Sequence, residues 1–350
     1  MSAPLVVVDA DVLGRHRTGD ETYVANLLRE LAELAPSDLR LAAVTRHPEL
    51  VPAGIEALEL PAGSQLFRMT YGLPRLLRRL GPALGHFQYA IPAGFRAPAV
   101  VTIHDLSFER ERAMMGLRDK LIFRTVVPRA ARRAARVLTV SERTRQDLIE
   151  HYGLPEDKIV VTPNGVDPAF GPDGPKADGS AYALFVGALQ PRKDPVSAVE
   201  AIALVDGGLR LVFAGPDKGG GTALRAAVAR LGLEDRVELV GYVEQERLAA
   251  LYRGAACLVF PSRYEGFGLP VVEAMACGTP VVAARTSALP EVAGDAAVLV
   301  EPGNPAALAQ GIEDVLADRE RLTAAGLERA RSFSWRKTAE RTLAVYRELL

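Results

Sequence analysis

The chain has 350 residues, 49% of them hydrophobic and 24% charged, with a formal net charge of −1. A near-neutral chain of this make-up is no polycation built to seek nucleic acid, and its length exceeds what one hydrophobic core usually serves, so two domains are expected. Its two cysteines, Cys257 and Cys277, stand in apolar runs and read as buried thiols rather than a disulfide or metal site, in keeping with a reducing, cytoplasmic setting.

The first nine residues lack a basic start, and Asp9 soon interrupts their apolar run, which is unlike a signal peptide. No apolar segment approaches the length of a membrane span. Leu5–Val8 reads as a strand, followed by a Gly14–Gly19 loop and a helix from Glu21 to Leu34. Leu41–Val44, Ala99–Ile103, Val137–Val140 and Ile159–Val161 are further strands, with helices over Leu117–Ala135 and Glu142–His151. Residues 171–180, dominated by glycine and proline, read as a linker with nothing to pack. The alternation then restarts. Strands are expected at Tyr182–Val186, Leu209–Ala214, Val237–Val240, Cys257–Phe260 and Pro280–Ala283. Helices are expected at Val196–Val205, Thr222–Leu231, Gln245–Arg253, Pro270–Ala276 and Pro305–Ala317. Ser334–Leu350 has an amphipathic helical pattern that Ser334 is placed to cap. The pattern is that of an α/β protein with two similar doubly wound domains facing a cleft, where a ligand is expected.

The segment Pro261–Gly278 carries the most chemistry. Glu265 and Glu273 stand eight positions apart, with Gly266-Phe267-Gly268 and Pro270 between them and the buried strand Cys257–Phe260 before them. Strand, glycine loop and helix start together aim free N–H groups and a partial positive charge at the loop, which suits phosphate. Glu273 is placed in the first helical turn, where a purely structural glutamate would also be favoured. Each carboxylate can accept two hydroxyl hydrogen bonds at once, as the vicinal diols of a ribose or hexose require. Earlier, Gly187 ends a strand and Arg192-Lys193-Asp194 follows. That pair suits an anion at the mouth of the sheet, although a solvated Arg–Lys pair would look the same alone.

In the first half, Gly19 sits in a phosphate-compatible loop. No G-x-G-x-x-G or Walker lysine accompanies it, which argues against a nicotinamide dehydrogenase and a P-loop kinase. His104, at the end of the strand Ala99–Ile103, either meets a sugar hydroxyl or is hydrogen-bonded within its own loop. Asp9-Ala10-Asp11 has the form of a metal motif but no second oxygen cluster, and is read as structural or as polar lining. Asn164-Gly165-Val166-Asp167 reads as a turn. Two arginine-rich stretches, one with Arg75, Arg78 and Arg79 and one from Arg118 to Arg136 that includes Lys120, are either solvated helix faces or surfaces for anionic lipid.

Taken together, Glu265-Gly-Phe-Gly-Leu-Pro-Val-Val-Glu273 resembles the signature of the retaining, nucleotide-sugar-dependent glycosyltransferases of group 1 (family 4 type), which have the GT-B fold of two Rossmann-like domains. The run from Val186 through Gly187 to Arg192-Lys193 resembles that family's diphosphate loop, and Thr18-Gly19, His104-Asp105 and Pro163–Asp167 match it as well. The resemblance implies an acceptor domain over residues 1–170, a donor domain over residues 171–333 and a last helix, 334–350, that crosses back to the first domain. It implies that Arg192 and Lys193 neutralise a donor diphosphate, helped by the backbone of Gly187 and of Gly266, Phe267, Gly268 and Leu269. Glu273 would hold the ribose, Glu265 the transferred sugar, and Tyr242 would flank the base. His104 would line the sugar or acceptor side, and Gly19 would let the first domain approach the phosphates.

Glu265, His104, Arg192 and Lys193 are thus the implied catalytic set, with no metal and no cofactor. The implied partners are a nucleoside diphosphate sugar and a glycan or lipid-linked acceptor, with no nucleic acid. GDP-mannose is the favoured donor, by similarity to bacterial mannosyltransferases of polysaccharide assembly. A cytoplasmic location with peripheral contact to the anionic inner face of the membrane is expected. Against the family pattern, Gly219-Gly220-Gly221 is unusual and is expected to leave its loop floppy. A sugar-nucleotide epimerase on the same plan and a non-catalytic nucleotide-sugar-binding subunit remain the alternatives.

Overall fold

A computed structural model describes residues 3–15, 19–61, 64–110 and 117–350, with side chains throughout except at residues 110 and 117–122. Thr18 and the side chains of Leu117, Arg118, Lys120, Leu121 and Ile122 therefore lie outside the described residues.

The first seven strands are β1 (Leu5–Asp9), β2 (Arg40–Thr45), β3 (Glu56–Glu59), β4 (Leu84–Gln88), β5 (Ala99–Ile103), β6 (Arg136–Thr139) and β7 (Ile159–Val161). They form one parallel sheet in the order β3-β2-β1-β4-β5-β6-β7. Six more strands follow: β8 (Tyr182–Val186), β9 (Arg210–Ala214), β10 (Val237–Gly241), β11 (Cys257–Phe260), β12 (Val281–Ala284) and β13 (Ala297–Val300). These form a second parallel sheet in the order β10-β9-β8-β11-β12-β13. Both sheets are doubly wound, as the alternating pattern predicts. Their central strands are apolar on both faces because helices cover both sides; β5, β8, β11 and β12 are buried at every residue. In each sheet the order reverses once, between β1 and β4 and between β8 and β11. Such switch points splay the connections apart and leave a crevice at the strands' carboxyl ends.

The chain divides into two units, residues 1–165 with 334–350, and residues 166–333. In the first, the helix Trp335–Leu349 packs along the helix Gly19–Leu34 and buries Trp335, Thr338, Leu343 and Tyr346. Ser334 stands at its N-cap, yet its side chain makes no capping bond, contrary to expectation. In the second, Phe185 and Phe213 meet at 4.9 Å between centroids within a core that includes Ile202, Leu224 and Ile312.

Three local readings are corrected. Residues 171–180 are fastened to the helix Gln245–Gly254: Arg253 donates to the carbonyls of Pro175 and Gly171 at 2.7 and 3.2 Å, and the Ala177 amide to Ala250 at 2.9 Å. Asn164-Gly165 is no turn. Gly165 is needed for close approach, because a Cβ there would lie 2.0 Å from the Trp335 amide nitrogen. The triple glycine is tied down, not floppy. The Asp217 carboxylate accepts from the amides of Gly219 and Gly221, each at 3.0 Å, and Gly220 donates to the Leu189 carbonyl at 2.8 Å.

Candidate functional site

The switch point of the second unit lies between β8 and β11, and both strands run into loops bearing the expected chemistry. Beyond β8, Gly187 takes a φ of +142°. The neighbouring strand's Gly215 crowds it: a Cβ there would lie 2.1 Å from the Gly187 carbonyl oxygen. The chain then makes a single 3-10 turn, Pro191–Lys193, and Asp194 reverses it in the left-handed region (φ +52°) into the helix Pro195–Leu204. Lys193 Nζ lies over the Phe260 ring at the end of β11, 5.2 Å from its centroid.

Both cations meet Glu265 from the β11 loop. Lys193 Nζ donates to Glu265 Oε1, and Arg192 Nη1 lies 3.4 Å from Oε2 while donating to the Tyr264 carbonyl at 2.5 Å. Glu265 is buried, and its amide donates to Ser287 Oγ at 2.8 Å. Burial alone would raise its carboxyl pKa. The charges of Lys193 and Arg192 and the hydrogen bonds from Lys193 and Ser262 outweigh burial and hold it below the ordinary range. An ionised carboxylate thus occupies a doubly cationic cradle.

The loop continues through Gly266 and the buried Phe267, whose ring meets Phe333 edge-on at 5.4 Å. Gly268 adopts φ +109° and starts the helix Leu269–Ala276, its own Cα facing Leu289 so closely that a Cβ would meet that side chain at 2.7 Å. The helix starts one residue before Pro270, so Glu273 falls in its second turn rather than the first, where the helix dipole has weakened. Glu273 Oε2 instead accepts from the buried Tyr252 hydroxyl at 2.9 Å. Burial, and then this neighbouring carboxylate, push the Tyr252 phenol well above its ordinary pKa, so it stays a donor. Tyr242, 41% exposed, follows β10 at the edge of the sheet.

His104 and Gly19 belong to the first unit. His104 follows β5, half-buried. Its Nε2 pairs with Gln88 Oε1 at 2.9 Å, and its ring meets the Tyr23 ring edge-on at 4.8 Å. Burial lowers its pKa against the pull of Asp20 and Asp105, which favours the neutral imidazole. Gly19 is the first residue of its helix, and among the described residues no atom beyond its chain neighbours and its own helix backbone lies within 4 Å of where a Cβ would stand. Asp9 and Asp11 are occupied by arginines. Arg68, fully buried, donates to both oxygens of Asp9 at 3.0 and 2.6 Å, and Arg46 donates to both oxygens of Asp11 at 2.9 and 3.0 Å.

Residues 169–331 match the family model for glycosyl transferases group 1, and residues 17–170 match that for glycosyltransferase family 4. A D-inositol 3-phosphate glycosyltransferase of Streptomyces bingchenggensis (strain BCW-1) is 31% identical over 98% of this chain and 81% of its own length. The chain belongs to the group 1 glycosyltransferase family. An O-antigen chain mannosyltransferase B of Escherichia coli is 35% identical over 61% of this chain, and that match spans 60% of the relative's own length. Among solved structures, a sucrose-phosphate synthase from Thermosynechococcus elongatus superposes with a TM-score of 0.82 over 99% of both chains at 24% identity, which shows the GT-B fold.

In this group 1 glycosyltransferase, the supports of the cationic loop escaped sequence reasoning. Arg263 donates to Asp194 at 3.0 Å, its amide donates to the Arg192 carbonyl at 2.9 Å, and Ser262 Oγ lies 3.4 Å from that same carbonyl. Arg263 sits two positions before Glu265, which was the only available signal. Tyr252, far from both motifs in sequence, gave none.

Proposed function

We propose that the protein moves a hexose from a nucleoside diphosphate sugar to a glycan or lipid-linked acceptor, with retention of configuration. The observation that carries this is the convergence of Arg192 and Lys193 on Glu265 at the β8/β11 switch point, beside the start of the helix Leu269–Ala276. A diphosphate offers these cations more charge than one carboxylate does, and it exchanges with Glu265 as their partner. Glu265 is then free to accept hydrogen bonds from hydroxyls of the transferred sugar, and Glu273 from those of the ribose. As the glycosidic bond breaks, charge grows on the leaving diphosphate. Two preorganised cations and the helix N-terminus stabilise it there. The departing phosphate oxygen takes the acceptor's proton on the face from which it leaves, which gives retention without a carboxylate nucleophile or a metal. His104, as a neutral imidazole, serves as a hydroxyl partner on the sugar or acceptor side, and Gly19 leaves room for phosphate.

GDP-mannose is the favoured donor, supported by the mannosyltransferase relative; the inositol phosphate glycosyltransferase relative points instead to a small phosphorylated acceptor. The test is a thermal-shift screen of GDP-, UDP- and ADP-sugars followed by product analysis. A shift with at least one donor, abolished in Glu273→Ala, and transfer to an acceptor support the proposal. Donor isomerised without transfer supports an epimerase, and binding without turnover a non-catalytic subunit. No shift with any donor sinks all three.

A further inference from the structure

Four non-glycine residues among those described hold a positive φ: Ala35, Tyr89, Asp194 and Ser287. Ala35 follows the helix Gly19–Leu34, and a left-handed residue is ordinary at a helix end. The other three border residues of the candidate site. The Tyr89 ring lies 5.6 Å from that of His104, Asp194 carries the reversal beyond Arg192 and Lys193, and Ser287 lies on Glu265. Aspartate visits this region routinely and serine does not, whereas a glycine at 287 would hold the same φ of +49° without strain. The backbone therefore does not call for serine. The side chain does.

Backbone strain persists where the surroundings over-determine it, and around Ser287 they do. The loop after β12 grips the loop after β11 at three points. The Glu265 amide donates to Ser287 Oγ at 2.8 Å, the Ala288 amide to the Glu265 carbonyl at 3.4 Å, and Thr286 Oγ1 to the Arg263 carbonyl at 3.2 Å. The Ser287 hydroxyl does not cap the helix Leu289–Ala293 that follows it, whose N-cap is Ala288 with no side-chain capping bond. It reaches across 22 positions instead. On the opposite flank, after β8, the Arg263 amide donates to the Arg192 carbonyl at 2.9 Å and Arg192 Nη1 to the Tyr264 carbonyl at 2.5 Å. The strand order β8-β11-β12 thus sets the Arg263–Glu265 main chain between two loops. The two grips differ in kind. One uses a cation that a diphosphate would engage. The other uses no charged side chain in its three bonds, so an arriving anion leaves it in place.

We propose that Ser287 is a positioning residue for recognition of the transferred hexose. When a diphosphate takes over Arg192 and Lys193, the Glu265 carboxylate swings about its own side-chain bonds, and Ser287 fixes the main-chain point from which it swings. That point sets which sugar hydroxyls the carboxylate meets, and it leaves the diphosphate contacts alone. Without the hydroxyl the buried residue's amide loses its acceptor and the loop is free to shift, which misplaces the sugar's partner. The inference rests on the reading of Glu265 as the group that holds the sugar.

The test is calorimetric binding of GDP-mannose, UDP-glucose and ADP-glucose, each beside its bare nucleoside diphosphate, to the parent protein, Ser287→Ala and Ser287→Gly, with single-turnover transfer rates and unfolding midpoints. Alanine loses the oxygen and keeps the strain, whereas glycine loses both, so Ser287→Gly should unfold at the higher temperature of the two. Donor affinity and transfer rate should nonetheless fall alike in both variants, each on the order of tenfold, as expected when a buried amide goes unpaired. Affinity for the bare nucleoside diphosphate should not change. Activity that follows stability, and so returns in Ser287→Gly, overturns the proposal. So does an equal loss of affinity for donor and for bare nucleoside diphosphate. A parent that binds none of the donors overturns the reading of Glu265 along with it, whereas a parent that binds one, with variants that bind it equally well, overturns the Ser287 assignment alone.

Discussion

Replacing Glu265 with glutamine tests whether this carboxylate stands in for a ligand anion. Arg192 Nη1 lies 3.4 Å from its oxygen, and Lys193 is closer on the other side. At an effective dielectric of about 20, the Arg192 pair alone represents about 5 kcal/mol of gross attraction. Desolvation of the three charges offsets most of it, but removing one partner of a buried group still costs about 3 kcal/mol because the remaining charges are left uncompensated. For a domain of this size that corresponds to a fall in Tm of roughly 6–12 °C. Added GDP or UDP restores the missing negative charge. Saturation to about a hundred times Kd contributes about 2.7 kcal/mol to either protein, and the variant, whose cations have no competitor, should reach it at lower nucleotide concentration. Thermal unfolding against nucleotide concentration reads both effects. Glu265→Gln should be less stable when free and more strongly protected by nucleotide, while sugar transfer falls. A variant as stable as the parent, or one protected less than the parent, refutes the reasoning.

Acid should weaken the first unit through His86, which is fully buried between Tyr346 (2.5 Å) and Thr102 (2.7 Å). Burial, with a smaller contribution from His104, pushes its pKa down to about 3. The unfolded chain therefore binds a proton below about 6.5 that the folded chain refuses, and stability falls by about 1.4 kcal/mol per pH unit on acidification through that window. Denaturant titrations from pH 7 to pH 4 should show this slope flattened in His86→Gln; an unchanged slope assigns it elsewhere. Glycines 215 and 19 should behave oppositely on substitution by alanine. Gly215→Ala places a Cβ 2.1 Å from the Gly187 carbonyl at a φ of +150° and should cost about 3 kcal/mol or more, measured by equilibrium unfolding. Gly19→Ala meets no tertiary neighbour among the described residues and should leave stability intact, so a lower transfer rate in that variant would support a phosphate approaching Gly19, and full activity would count against it.

Much of the architecture was legible because buried parallel strands are short apolar runs. β5, β7, β8 and β11 were read to the residue. Strand β4 was not, although it is central, because Leu84-Gly-His-Phe-Gln carries a glycine and two polar residues. Gly85 is there for the Phe87 and Phe95 rings, which a Cβ would meet at 2.6 and 2.7 Å, and His86 for the last helix, which is 260 residues away in sequence. Edge strand β3, Glu56-Ala-Leu-Glu, has too little apolar character to announce itself. At the candidate site, Arg192, Lys193 and Glu265 were legible as chemistry, but not that they pair with one another across 72 positions. Glycine content misled twice, at 171–180 and at 219–221. In both places it permits close packing or carboxylate capping of amides, and composition alone does not separate that from slack.

The central claim is that Arg192 and Lys193 stabilise a departing nucleoside diphosphate. The direct measurement is the single-turnover rate of hexose transfer, and of nucleoside diphosphate release, for the parent protein and for Arg192→Ala and Lys193→Ala at saturating donor. Each variant should lose on the order of ten- to a thousandfold in rate, with donor still bound at high concentration and the fold intact. Transfer at the parental rate in both variants would contradict the claim.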